Sequence, residues 1–365
     1  MFFLYIELQK AIATLELWKK TFPGDDIPWS NLAEDHASLG EFGKAQENAQ
    51  QAIRLNPDSR FAYRALAWAY LGLNHLDEAK AVLRTALERK LGGPREHIPL
   101  AIIALAEGNT AAFERESAYA KGTADEGWSL LQRGLVAASH GRIRQAEELS
   151  WLAAESDQHY KLIDFAAMDI LNIAHTNALI GAKTRVPAQV DKALSFSKSP
   201  DVLAEAAAVL AMAGQEKRAL EIINQLLARR PDDTLLQEVT APRAKAWLEI
   251  NHGNGGKAVE LLEIARRWSR VNFDVLFARS TAYLKAGRSA EAVQEFRNLL
   301  ELRRLGQFRP TLLSFAQLGL ARAYALQGDS AKARTAYQDF FALWKDADPD
   351  IPILKEAKSE YAKLQ

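Results

Sequence analysis

Cysteine is absent from the 365 residues, which removes disulfide frameworks, thiolate zinc sites and thiol nucleophiles together. Either redox environment remains open to such a chain. Charge of one sign is also missing: 46 basic residues balance 46 acidic ones. No global field therefore draws the protein to nucleic acid or to an anionic membrane, and neither is expected as a partner. No apolar run approaches the roughly eighteen residues that a membrane helix needs. The opening MFFLYIEL lacks a basic start and a small-residue cleavage site, so it is not read as a secretory signal. Runs of alternating β-branched residues do not occur, which argues against strands. What is present is the balance of a folded protein, 48% hydrophobic and 25% charged.

A period near 34 organises the chain. The segment from Asp26 to Ser59 has Trp29, Leu32, Ala33, His36, Gly40, Ala45, Ala49, Ala52 and Pro57 at positions 4, 7, 8, 11, 15, 20, 24, 27 and 32. This stretch resembles the tetratricopeptide repeat. The next unit repeats the pattern with Tyr63, Leu66, Ala67, Tyr70, Ala79, Leu83 and Ala86, its proline arriving late as Pro94. Gly40, Asn74, Gly108, Gly141, Gly181, Gly214, Gly253, Gly287 and Gly328 mark the inter-helix turn of successive units. A small residue five places later recurs except at Phe113 and Val186. Small residues at positions 8 and 20 let two helices approach closely, and larger ones at 4, 7, 11 and 24 fill the gaps to neighbours. The intervening residues are helix formers.

The expected fold is all-α, an α-solenoid of antiparallel helix pairs in a TPR superhelix of about 9–10 units. Its expected parts are a truncated first repeat at 1–25, two well-matched units at 26–93, degenerate units at 94–199, further units at 200–348, and a C-terminal capping helix at 349–365. Because Met1 falls near position 10 of a unit, the sequence reads as the C-terminal part of something longer, or as descended from it. That interrupted unit predicts apolar surface at Phe2, Phe3 and Tyr5, and with it self-association through the N-terminal edge.

No catalytic motif survives inspection. GNGGKA at Gly253 to Ala258 lacks the first glycine and the Ser or Thr of a phosphate loop, and its register places it at a turn. None of the seven histidines pairs at i, i+4, and there is no H-E-x-x-H or G-x-S-x-G. Neither enzyme activity, metal nor cofactor is expected. A basic strip between residues 266 and 309, including Arg266, Arg267, Arg270, Arg303, Arg304 and Arg309, lacks interleaved aromatics for base stacking and reads as a solvated face.

The resemblance carries a further implication, because in such arrays the first helix of each unit lines a concave surface and positions 2, 5, 9 and 12 face a bound peptide. Those positions give Arg64 and Trp68, Trp128, Arg243 and Trp247, Phe277 and Arg322 as candidate partner-binding residues. Arg and Trp concentrate binding energy at interfaces. Ser30 and Glu34 stand where a carboxylate clamp would need lysine and asparagine, so a chaperone-tail receptor is disfavoured. The tail from Gly319 to Gln365, with DADPDIPILKEAK, is similar to the TPR arrays of large bacterial serine/threonine protein kinases. No glycine-rich strand loop, H-R-D loop or D-F-G triplet is present, so kinase activity does not carry over. The expected function is a non-catalytic scaffold that binds a protein or peptide segment in its groove. The alternative is a detached sensory or regulatory module of such a kinase or of a winged-helix transcription regulator. The compartment expected by default is the cytoplasm, or an extracytoplasmic one if the array derives from a membrane-tethered kinase.

Overall fold

The computed structural model describes residues 8–269, 271–301 and 309–364. Among the described residues there are twenty α-helices and no strand. The chain divides into two compact units, one ending at Asp125 and the other beginning at Glu126.

In the first unit α1 (Leu8–Thr21) precedes three hairpins. These are α2 (Ile27–Ser38) with α3 (Phe42–Leu55), α4 (Arg60–Gly72) with α5 (Leu76–Glu88), and α6 (Pro94–Ala106) with α7 (Thr110–Ala118). The turns have one construction. Gly40 takes φ 75° and Asn74 takes φ 63°, a left-handed geometry that lets the chain reverse after a helix. The following amide then donates to the carbonyl five residues back, Glu41 to His36 at 2.9 Å and His75 to Tyr70 at 2.8 Å. All nine turn markers read from the sequence have positive φ. Ala33 and Ala45 in the first pair and Ala67 and Ala79 in the second are all fully buried, small residues that let the helix axes approach closely. Phe113 and Val186, the two large residues at this position, are buried as well. Pro94, read as a late stop, instead occupies the first turn of α6, where its missing N–H costs nothing.

The second unit alternates inner and outer helices. The inner ones are α8 (Glu126–Ser139), α10 (Ile163–Leu179), α12 (Pro200–Met212), α14 (Ala241–His252), α16 (Phe273–Lys285) and α18 (Pro310–Leu326). Their outer partners are α9 (Ile143–His159), α11 (Val186–Phe196), α13 (Glu216–Arg229), α15 (Gly255–Glu263), α17 (Ser289–Glu301) and α19 (Ser330–Leu343). Each inner helix packs on the next, and α18 packs on α8, so within this unit the stack closes into a ring.

Polar bonds across large sequence separations seal the seam. Thr311 Oγ1 donates to the Leu135 carbonyl at 3.3 Å and Ser314 Oγ to that of Ser139 at 2.5 Å. Trp344 Nε1 also donates to the Ser139 carbonyl, at 3.0 Å. The chain beyond α19 then crosses two turns of the opposite side. Asp348 N donates to Gly141 O at 3.0 Å and Ile353 N to Ile180 O at 3.2 Å. The last helix, α20 (Pro352–Ala362), buries Leu354 and Ala357 and leaves Lys355, Glu356 and Lys358 in solvent. One apolar cluster spans the seam, joining Ala137, Ile143 and Ile180 to Phe315, Phe340 and Trp344.

Candidate protein-binding surfaces

In the first unit the 34-residue period aligns equivalent side chains of α2, α4 and α6. Residues 27, 61 and 95 are Ile27, Phe61 and Arg95; residues 30, 64 and 98 are Ser30, Arg64 and Ile98; residues 34, 68 and 102 are Glu34, Trp68 and Ile102. Adjacent helix axes in such packing lie about 8–10 Å apart. Ile27 and Phe61 are 49% and 48% exposed, so two large apolar side chains stand in neighbouring units at one level. Arg64 sits over the Phe61 ring at 5.2 Å and reaches towards Glu34 at 3.8 Å and the buried Glu96 at 3.7 Å. It thereby links the first helices of three successive hairpins, α2, α4 and α6. Trp68 is half-buried, packed beside the core of Ala67, Leu71, Leu83 and Ile103. Burial, with the Glu34 carboxylate beside it, raises the pKa of Asp35 to about 6.

The remaining candidates lie in the ring. Trp128 is half-buried at the start of α8. Arg322 is held by α20, its Nε donating to Glu360 Oε2 at 2.9 Å and its Nη2 3.2 Å from Glu356. Arg243, Trp247 and Phe277 come together in the interior, which is built in two layers.

The ionic layer brings His175 of α10, Glu205 of α12, Arg243 of α14 and Asp274 of α16 around Arg309, which precedes α18. Arg243 Nη2 is 2.8 Å from Glu205 Oε2 and its Nη1 is 3.4 Å from Asp274 Oδ2. Burial alone would raise the Glu205 pKa, but Arg243 and Arg309 outweigh it and hold this carboxyl well below its ordinary value. The aromatic layer consists of Trp247, Phe277 and Phe315, with ring centroids 6.1 Å apart for the first pair and 6.4 Å for the second. Arg243 is only 7% exposed. These inward positions face the ring's own core.

Sequence reasoning picked out neither Ile27 and Phe61 nor the ionic partners of Arg243. The signal was the period itself. Ile27 and Phe61 are 34 residues apart, and His175, Glu205, Arg243, Asp274 and Arg309 follow one another at intervals of 30, 38, 31 and 35. The solvated-face reading of the basic strip fails at Arg309, whose charge is taken up by the carboxylates of Glu205 and Asp274. Arg266 and Arg267 are exposed and paired with Glu263 and Glu238. Arg270, Arg303 and Arg304, like Phe2, Phe3 and Tyr5, lie outside the described residues. Among the described residues no group of His, Asp and Glu has metal-binding geometry, and no helix is long and apolar enough to cross a membrane.

Residues 36–95, 243–310 and 314–339 each match a family model described as tetratricopeptide repeat. Over 78 residues the chain is 33% identical to heat shock protein STI1 of Saccharomyces cerevisiae, covering 20% of this chain and 13% of that protein. Among solved structures it is similar to yeast Tom70, with 15% identity and a TM-score of 0.38 over 98% of this chain and 92% of that one. A tetratricopeptide repeat protein of Parabacteroides merdae shows 16% identity and a TM-score of 0.33 over 65% and 90%. Both units therefore carry tetratricopeptide repeats, whose general role is that of a protein–protein interaction scaffold.

Proposed function

We propose that this tetratricopeptide-repeat chain is a non-catalytic scaffold, and that the inner face of α2, α4 and α6 binds a segment of another protein. The observation that carries the proposal is the pair Ile27 and Phe61, large, apolar and exposed at equivalent positions of neighbouring units. Side chains of that kind on a soluble surface mark interaction sites when they lie together. Arg64 and Trp68 supply the planar donors and rigid area that anchor such contacts. The ring candidates Arg243 and Phe277 are engaged within the ring, which favours the first unit as the site.

The test is affinity capture after in-cell crosslinking, comparing the natural chain with a Phe61→Ala, Trp68→Ala double variant of unchanged helical content. A protein captured by the first should be lost or weakened about 30-fold or more with the second, the scale of removing a hot spot. Partners captured equally by both forms would refute the groove.

A second reading, the sensory or regulatory module of a serine/threonine kinase or winged-helix regulator, rests on the similarity of residues 319–365 to kinase-associated arrays. A kinase or winged-helix coding region in frame upstream would support it, and an unrelated upstream gene would remove it.

A further inference from the structure

The ionic layer of the ring has the form of a receptor with its ligand in place. Arg309 Nε is 3.1 Å from Asp274 Oδ2, Nη1 donates to His175 Nδ1 at 2.6 Å and to Asn172 Oδ1 at 3.4 Å, and Nη2 is 3.5 Å from Glu205 Oε1. Each nitrogen of one guanidinium meets an acceptor, and the acceptors come from three helices, α10, α12 and α16. We propose that Asn172, His175, Glu205 and Asp274 form a guanidinium-binding cradle, which Arg309 fills in cis and an arginine of a partner segment fills in its place.

Two observations and two physical arguments support this. A planar fork of donors distinguishes guanidinium from the point charge of an ammonium, so the cradle is selective for arginine over lysine. Arg309 lies outside the helix it precedes, at φ −136° and ψ 63°. Its side chain can therefore withdraw without breaking a helical hydrogen bond of its own amide. Withdrawal would leave the carboxylates of Glu205 and Asp274, 11% and 13% exposed, facing the single guanidinium of Arg243, a state that favours a replacement cation. Finally, Asp274 Oδ1 and Arg243 Nε are buried without a hydrogen-bond partner, so the internal ligand does not use all the polar capacity there.

Phe315, six residues beyond Arg309, keeps its place beside Trp247 and Phe277, so the occupant of the cradle is defined by its arginine. This site is separate from the groove of the first unit and does not depend on it.

The experiment uses the full chain with Arg309→Ala and follows thermal unfolding in millimolar methylguanidinium or, as control, methylammonium. Expected is a lowered melting temperature that methylguanidinium raises and methylammonium does not. A synthetic peptide of residues 309–318 should bind the variant, and its alanine-for-arginine form about tenfold or more weakly. Equal response to the two cations, together with equal binding of the two peptides, would overturn the proposal. Should Arg309→Ala fail to fold, amide exchange of Asp274→Asn in the natural background replaces it. Faster exchange at the start of α18 is then expected, and protection equal to that of the natural chain would overturn the proposal.

Discussion

Replacing Trp344 by alanine tests whether residues 126–365 close on themselves. This side chain is buried, lies 4.8 Å from the Phe340 ring and 5.8 Å from that of Phe315, and donates to the Ser139 carbonyl. Truncating a buried tryptophan costs about 3–5 kcal/mol through lost contacts and the cavity left behind. The lost hydrogen bond adds little, because Ser314 Oγ still donates to the same carbonyl. At roughly 2–4 °C per kcal/mol for a unit of this size, the melting temperature of the ring should fall by about 6–20 °C. Hydrogen exchange read by mass spectrometry then separates the two architectures. In an open array each repeat senses only its neighbours, so faster exchange would stay within α17 to α20. Closure places α8 and α9 directly across the seam, so their amides should lose protection although they lie some 200 residues away. Exchange unchanged in α8 and α9, or a melting shift below about 2 °C, would refute the reasoning.

The turn glycines give a paired prediction. Gly141 has φ 73°, and a Cβ there would collide with Ala347 and Trp344, so Gly141→Ala should destabilise by more than the roughly 1–2 kcal/mol of left-handed strain alone. Gly256→Ala, in open space within α15, should be neutral or slightly stabilising in the same melts. Two acids predict pH dependence. Burial first, and then the neighbouring Asp157 carboxyl, push the Asp169 pKa well above its ordinary value. The folded chain therefore keeps a proton that the unfolded chain releases. Stability is full in acid and declines as pH rises through the raised value, and Asp169→Asn should flatten that decline in melting temperature against pH. Asp35 acts in the same direction in the first unit, its contribution being lost as pH climbs through about 6. Asp35→Asn should remove that slope, and an unaltered profile in either variant would count against the assignment.

Much of the fold was legible in the sequence, because the turns of the repeat take a left-handed backbone geometry that few residue types tolerate. Gly40 and Asn74 announce a left-handed turn, and Ala33 with Ala45 announces a close helix pair. Closure was not legible in that way. The repeat pattern encodes contacts between neighbours, whereas the seam joins Leu135 to Thr311 and Gly141 to Asp348. A trace was nevertheless there. Helix α12 reads PDVLAEAAAVLAM and α18 reads PTLLSFAQLGLARAYAL, apolar nearly all round, where an open groove would call for a polar inner stripe. Of the positions read as facing a guest, Arg243 and Phe277 are buried in the ring, against its ionic and aromatic layers. At Arg64 and Trp68 the inner face has no such closure within the described unit, and the 34-residue spacing of Ile27 and Phe61 was legible although their exposure was not.

The seam also sets an arithmetic limit on how these two units can diverge. A linear run of hairpins can gain or lose a copy at its edge by duplication or deletion and still fold, since the new copy meets an old surface. In residues 126–365 a seventh hairpin would part Ser314 from Ser139 and pull the C-terminal crossing off Gly141 and Ile180. Six hairpins are therefore a fixed number in the ring, whereas the three of the first unit can lengthen. Homologues should differ in repeat count before Asp125 and agree on it after Glu126.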